Sequence, residues 1–137
     1  MLTTWLPATL LSLFSFGLWG LFTKLAVVHI DSKSALIYQT IGVVIIGMIA
    51  LSSMSFKPAT DAKGLSYAIL TGIAYGIGCL FYFIAASKGK IITVVTLTAL
   101  YPLITIVLAY FLLKESVNLK QCLGIILAFV AILLMSS

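Results

Sequence analysis

Arginine does not occur in this chain, and acidic residues number only three, Asp31, Asp61 and Glu115, against eight lysines. There is one histidine, His29, and the two cysteines, Cys79 and Cys122, stand far apart. Such a set offers no metal-ligand cluster and no nucleophile, base and orienting acid. No glycine-rich phosphate loop occurs either. The net charge of +5 is spread in single lysines between long apolar runs, which makes no patch for nucleic acid. These absences argue against an enzyme, a resident metal or cofactor, and a nucleic-acid partner.

What is abundant is apolar. Hydrophobic residues make up 63% of the 137, charged residues only 8%, and the mean hydropathy is +1.27. A soluble domain of this size could not hide so much apolar surface. Uncharged runs extend over 1–23, 34–56, 64–87, 91–113 and 121–137. Crossing a hydrocarbon core of about 30 Å takes roughly 20 apolar residues in a helix. The spacing predicts five transmembrane helices, at about 6–28, 34–56, 64–87, 91–113 and 119–136. The first run has no leading lysine or arginine and no small-residue cleavage site, so it reads as a span and not as a signal peptide. The runs do not alternate with period two, which excludes a barrel. The expectation is one all-α membrane domain over 1–137, embedded in a lipid bilayer.

The connections agree with the spans. Pro7 suits a first helical turn. Gly89 in SKGK is available as a C-cap for the third helix. FKPATDAKG carries the proline, charge and glycine of a loop. Asn118 and Gln121 have capping-box spacing at the start of the fifth helix. Lysines divide evenly between the two sides: Lys57, Lys63, Lys114 and Lys120 on one, Lys24, Lys33, Lys88 and Lys90 on the other. The lysine and arginine excess in short loops normally sets orientation. An even score leaves two readings, a single orientation fixed by a weak bias, or dual topology with copies inserted both ways up.

From residue 82 onward, YFIAASKGKIITVVTLTALYPLITIVLAYFLLKESVNLKQCLGIILAFVAILL resembles the closing half of an EamA-type domain of the drug/metabolite transporter superfamily. The matching features are an alanine ahead of the turn between helices 3 and 4, the mid-helix Pro102, Glu115 closing helix 4, and Gln121 and Gly124 opening helix 5. Upstream, LWGLFTKLA resembles the first-helix pattern of that family. Where members carry an arginine early in helix 2, this chain has Tyr38 and Gln39. The resemblance implies a five-helix bundle forming one half, or one repeat, of the transporter fold, in the single-domain bacterial and archaeal branch. It also implies a prokaryotic cytoplasmic membrane and a second, inverted half supplied by another chain, most economically as a homodimer. Related four-helix exporters depend on a glutamate within the first span, and none is present here.

The polar and aromatic groups inside the spans give the candidate substrate site: Trp19, Thr23, Lys24, Gln39, Tyr75, Thr96 and Tyr101. Trp5, Tyr67 and Tyr82, near span ends, read as interface anchors. Pro102 frees the carbonyl of Thr98 and kinks the fourth helix, as a fixed bend or a hinge. Gly72 with Gly76, and Gly124 with Ala128, have the small-xxx-small spacing of close helix packing, within one chain or between two. Lys24 follows twenty-three residues without side-chain charge. It either snorkels to the headgroups or turns inward with Gly17 and Gly20 toward a substrate anion. The expected function is a carrier for a small polar or amphipathic metabolite. The competing reading is a non-transporting membrane subunit or a component of a lipid-linked-sugar flippase.

Overall fold

The computed structural model describes residues 5–136. Among them every regular element is helical. Four spans, Leu6–His29, Ser32–Ser53, Ala62–Lys88 and Ile91–Leu113, are long and apolar enough to cross a membrane, and a shorter apolar helix covers Leu119–Leu134. Contacts divide the chain into two compact units that meet between Lys88 and Gly89.

The first unit is built from α1 (Leu6–His29), α2 (Ser32–Ser53) and α3 (Ala62–Lys88). Pro7 lies in the first turn of α1, as expected. At the other end Ile30 is extended, and Asp31 caps α2 by accepting from the N–H groups of Lys33 (3.0 Å) and Ser34 (3.1 Å) and from the Ser34 hydroxyl (2.5 Å). Asp61 does the same for α3, accepting from the Gly64 N–H at 2.8 Å. Both aspartates thus meet donors that the first turn of a helix cannot satisfy internally.

Two boundaries depart from expectation. α2 stops at Ser53, three residues early, because Ser55 (φ 53°) and Phe56 (φ 59°) turn left-handed and the Phe56 N–H folds back to the Leu51 carbonyl at 3.1 Å. Gly89 does not close α3 through a left-handed cap, since no described glycine has a positive φ.

The three helices pack pairwise. Their core joins Ala35 of α2 to Cys79 and Phe83 of α3, with Trp19, Ala26 and Val27 of α1 and Leu36 of α2 against it. Most large apolar side chains point outward, among them Leu13, Phe14, Ile46 and Leu70. In water that surface would be untenable, but in lipid it is the expected outer face.

The second unit contains α4 (Ile91–Thr98), α5 (Tyr101–Leu108), a π-helical turn (Ala109–Leu113) and α6 (Leu119–Ser136), with α4 packed on α6. The fourth span is interrupted just ahead of Pro102, where a kink was expected. Pro102 has no N–H to give and its ring crowds the carbonyl four residues back. The chain answers with a turn at Ala99–Leu100: the Leu100 N–H bonds Leu97 O at 3.2 Å and the Leu103 N–H bonds Leu100 O at 3.0 Å. Helix then restarts with Pro102 in its first turn. The capping box ahead of α6 forms as read, with Gln121 N–H to Asn118 Oδ1 and Asn118 N–H to Gln121 Oε1, both at 2.9 Å.

Candidate functional site

The polar centre of the first unit is assembled from three helices. The Trp19 indole of α1 donates to Oε1 of Gln39 on α2 at 2.6 Å, and Tyr82 of α3 lies against the indole, ring centroids 4.5 Å apart and planes at 37°. Each residue sits short of the helix end nearest the Ile30–Asp31 turn or its α3 counterpart, by roughly 9–15 Å at 1.5 Å per residue. That depth is inside a hydrocarbon core of about 30 Å.

A tryptophan N–H at such depth needs an acceptor, and Gln39 supplies one. The pairing spends the Gln39 carbonyl only. Among the described residues the Gln39 amide N–H groups and the Tyr82 hydroxyl have no hydrogen-bond partner, and neither is sealed off completely. The site therefore offers an aromatic face beside uncommitted polar groups.

Thr23 is buried one turn beyond Trp19, its hydroxyl donating to the Trp19 carbonyl at 2.9 Å, so its polar group is satisfied within α1. Gly20 is buried beside it. Lys24 reaches α3, where Nζ donates to the Ala86 carbonyl at 2.7 Å. Ala86 is completely buried and lies in the last turn of α3, where carbonyls lack intrahelical donors and the helix dipole is negative. The ammonium thus has the partner that no intramembrane carboxylate could give it. Gly17, placed on the same face by sequence, is different: a side chain there would meet only open space.

Of the other candidates in the first unit, Tyr75 is not drawn into this centre. Tyr75 lies two turns before Tyr82 and is 43% exposed. Thr96 and Tyr101 belong to the second unit, where Thr96 is buried with its hydroxyl on the Ile92 carbonyl (2.6 Å) and Tyr101 is 65% exposed. At Gly72, Gly76 and Gly124 an added Cβ would touch nothing within 4 Å, so the small-residue spacing serves no close packing within either unit. Ala128 is exposed.

Tyr82 is the member that sequence reasoning misplaced. It is 8% exposed and stacked on Trp19, whereas its position near a span end suggested an interface anchor. The signal was present in the buried stripe Cys79, Tyr82, Phe83 and Ala86, which repeats at helical spacing along α3.

The chain is 38% identical over 104 residues to an uncharacterised protein of Methanocaldococcus jannaschii, covering 73% of this chain and 76% of that one. It is 32% identical over 96 residues to a glucose uptake protein of Staphylococcus xylosus and 28% identical over 107 residues to a probable glucose uptake protein of Staphylococcus epidermidis. These matches take in 70% and 78% of this chain but only 32% and 36% of those proteins, so it spans about a third of their length. No solved structure matches it. The profile of the EamA-like transporter family matches residues 3–137, and the chain, a multi-pass membrane protein, belongs to that family.

Proposed function

We propose that the chain is a secondary carrier for a small, neutral, hydroxyl-rich metabolite of the sugar class, bound at Trp19, Gln39 and Tyr82. The observation that carries this reading is the Trp19–Gln39 hydrogen bond with Tyr82 stacked on it. An indole and a phenol ring give the C–H face of a pyranose an apolar platform. The Gln39 amide and Tyr82 hydroxyl give its hydroxyls partners, and the absence of any acid within the spans disfavours a cationic cargo. Glucose uptake, for which the staphylococcal relatives are named, supports the same substrate class.

The working unit in this reading is a homodimer in a prokaryotic cytoplasmic membrane. Alternating access commonly uses two inverted repeats around a site at their junction, and five spans make one repeat. The open faces at Gly72, Gly76 and Gly124 suit contact with a second copy. An even lysine distribution suits an antiparallel pair.

The test is uptake of radiolabelled sugars into proteoliposomes containing the purified chain alone, compared with Gln39→Leu and Trp19→Ala. Saturable sugar uptake that both substitutions abolish supports the proposal. No sugar-dependent flux from well-folded wild-type protein overturns it and favours an accessory subunit.

A further inference from the structure

A cavity of about 250 Å³ lies between the π-helical turn, the loop that follows it and the start of α6. Ile106 and Ile125 line its apolar side, and Tyr110, Glu115, Ser116 and Gln121 its polar side. No lysine lines it. Its polar residues Glu115 and Ser116 follow directly on the fourth span, which ends at Leu113.

Glu115 differs from the other two acids. Asp31 and Asp61 commit their carboxylates to backbone N–H groups of α2 and α3. At α6 the cap is Asn118 with Gln121, and among the described residues the Glu115 carboxylate has neither a hydrogen-bond nor an ion-pair partner. The backbone places it deliberately: Lys114 turns left-handed (φ 55°), and the N–H groups of Lys114 and Glu115 converge on the Ala109 carbonyl. That turn sets the carboxylate beside a helix C-terminus, whose unmatched carbonyls carry the negative end of the dipole. The ring of Tyr110 adds a face that attracts cations.

We infer that this cavity binds a primary ammonium carried on a short apolar stem. The ammonium would meet the Glu115 carboxylate, the Tyr110 ring and the Ser116 hydroxyl, while the stem lies over Ile106 and Ile125. The volume suits a headgroup-sized ligand, being below the roughly 300 Å³ at which drug-sized pockets begin. Two sources share this chemistry, the ethanolamine headgroup of a phospholipid and a free alkylamine. The site is built from residues of the second unit alone and does not depend on the carrier reading.

The experiment is a thermal-shift titration of the full chain in detergent with phosphatidylethanolamine, phosphatidylcholine of the same acyl chains, and octylammonium, on wild type, Glu115→Gln and Glu115→Asp. The variants change an exposed side chain outside any cap, and each one's unliganded melt reports its folding. The proposal expects phosphatidylethanolamine or octylammonium to stabilise the wild type more than phosphatidylcholine does. Half-saturation should rise about five-fold in Glu115→Gln, the scale of one exposed ion pair, and less in Glu115→Asp. Dependence on Glu115 for the phospholipid alone identifies a lipid site, and for octylammonium alone a free-amine site. Equal titrations of wild type and Glu115→Gln with both ammonium ligands overturn the inference, as does phosphatidylcholine matching phosphatidylethanolamine when octylammonium has no effect.

Discussion

Trp19 and Gln39 lie 20 positions apart on antiparallel neighbours, and a 2.6 Å hydrogen bond joins them beneath the ring of Tyr82. One contact thus ties α1 to α2 and the stacked ring ties both to α3. In lipid no hydrophobic effect drives helices together, so close packing and hydrogen bonds of this kind carry the association. The proposed binding centre and the anchor of the three-helix unit are therefore the same residues.

A double-mutant cycle over Trp19→Phe and Gln39→Leu should accordingly show coupling. Interhelical hydrogen bonds in membranes average about 0.6 kcal/mol and reach about 1.7, and a buried indole donor places this pair toward the upper value. Unfolding in mixed micelles measures it. Additive effects of the two substitutions would mean that the bond contributes nothing to the fold.

The spans were legible because run length against bilayer thickness is a one-dimensional rule, and the box at Asn118 and Gln121 because capping acts over three residues. The break at Pro102 was half legible: proline forbids the continuous helix, but whether the chain bends or stops depends on the turn that Ala99 and Leu100 adopt. Trp19 and Gln39 stood out as polar groups in apolar runs, whereas Tyr82 was judged by its distance from a span end and not by the stripe it shares with Cys79 and Phe83. The partner of Lys24 was beyond reach, because a backbone carbonyl leaves no mark in the sequence and only the register of α1 against α3 selects Ala86.

Lys24 supplies a second prediction. Lys24→Met removes the donor from the buried Ala86 carbonyl and should cost about 1 kcal/mol, a charge-assisted hydrogen bond discounted for partial exposure. Amide exchange at the end of α3 should rise with it. Lys24→Gln keeps an N–H donor and should recover part of the loss while neutral-sugar uptake continues. Abolished uptake in a stable Lys24→Gln protein would place the lysine in the binding site instead.

Asp31 makes the stability of the α1–α2 turn depend on pH. The Ser34 hydroxyl above all, then the N–H groups of Ser34 and Lys33, hold its carboxyl below the usual value of 3.8. A depressed folded pKa means that the stabilisation is fully present above 3.8 and is lost as the pH falls through the lower folded value. Melting temperature should thus be insensitive to this group from pH 5 to 8, an interval well above that unfolded value. Below pH 3.8 the wild type should lose a few degrees that Asp31→Ala has already lost at neutral pH. Parallel pH curves for the two proteins would exclude the cap as the cause.

Pro102 tests whether the broken span works as a hinge. Pro102→Ala restores an N–H opposite the Thr98 carbonyl and permits one continuous helix. A protected amide should then appear at position 102, bonded to the Thr98 carbonyl. If the break moves during transport, flux should fall several-fold more than sugar affinity, since lids and hinges act on rates. Equal loss of both, or no loss, would leave the break as a fixed feature of packing.

The lysine distribution yields the last prediction, and the structure sharpens it. Lys24 is the one lysine whose assignment to a side was open, because a residue within α1 could be discounted. Its Nζ meets the carbonyl of Ala86, two residues before Lys88, so its charge is held at the same end as Lys33, Lys88 and Lys90. The score therefore stays at four against Lys57, Lys63, Lys114 and Lys120, with no arginine to break it. Since lysine and arginine asymmetry is what directs insertion, a reporter fused to the C-terminus should be found on both sides of the membrane. Lys24→Gln should tip the population toward the orientation with Lys57, Lys63, Lys114 and Lys120 in the cytoplasm, and two or three lysines added to the Ile30–Asp31 turn should tip it the other way. Cysteine-accessibility labelling of intact cells against lysed cells reads the proportions. A wild-type reporter confined to one side would remove dual topology and, with it, the antiparallel pairing of identical chains.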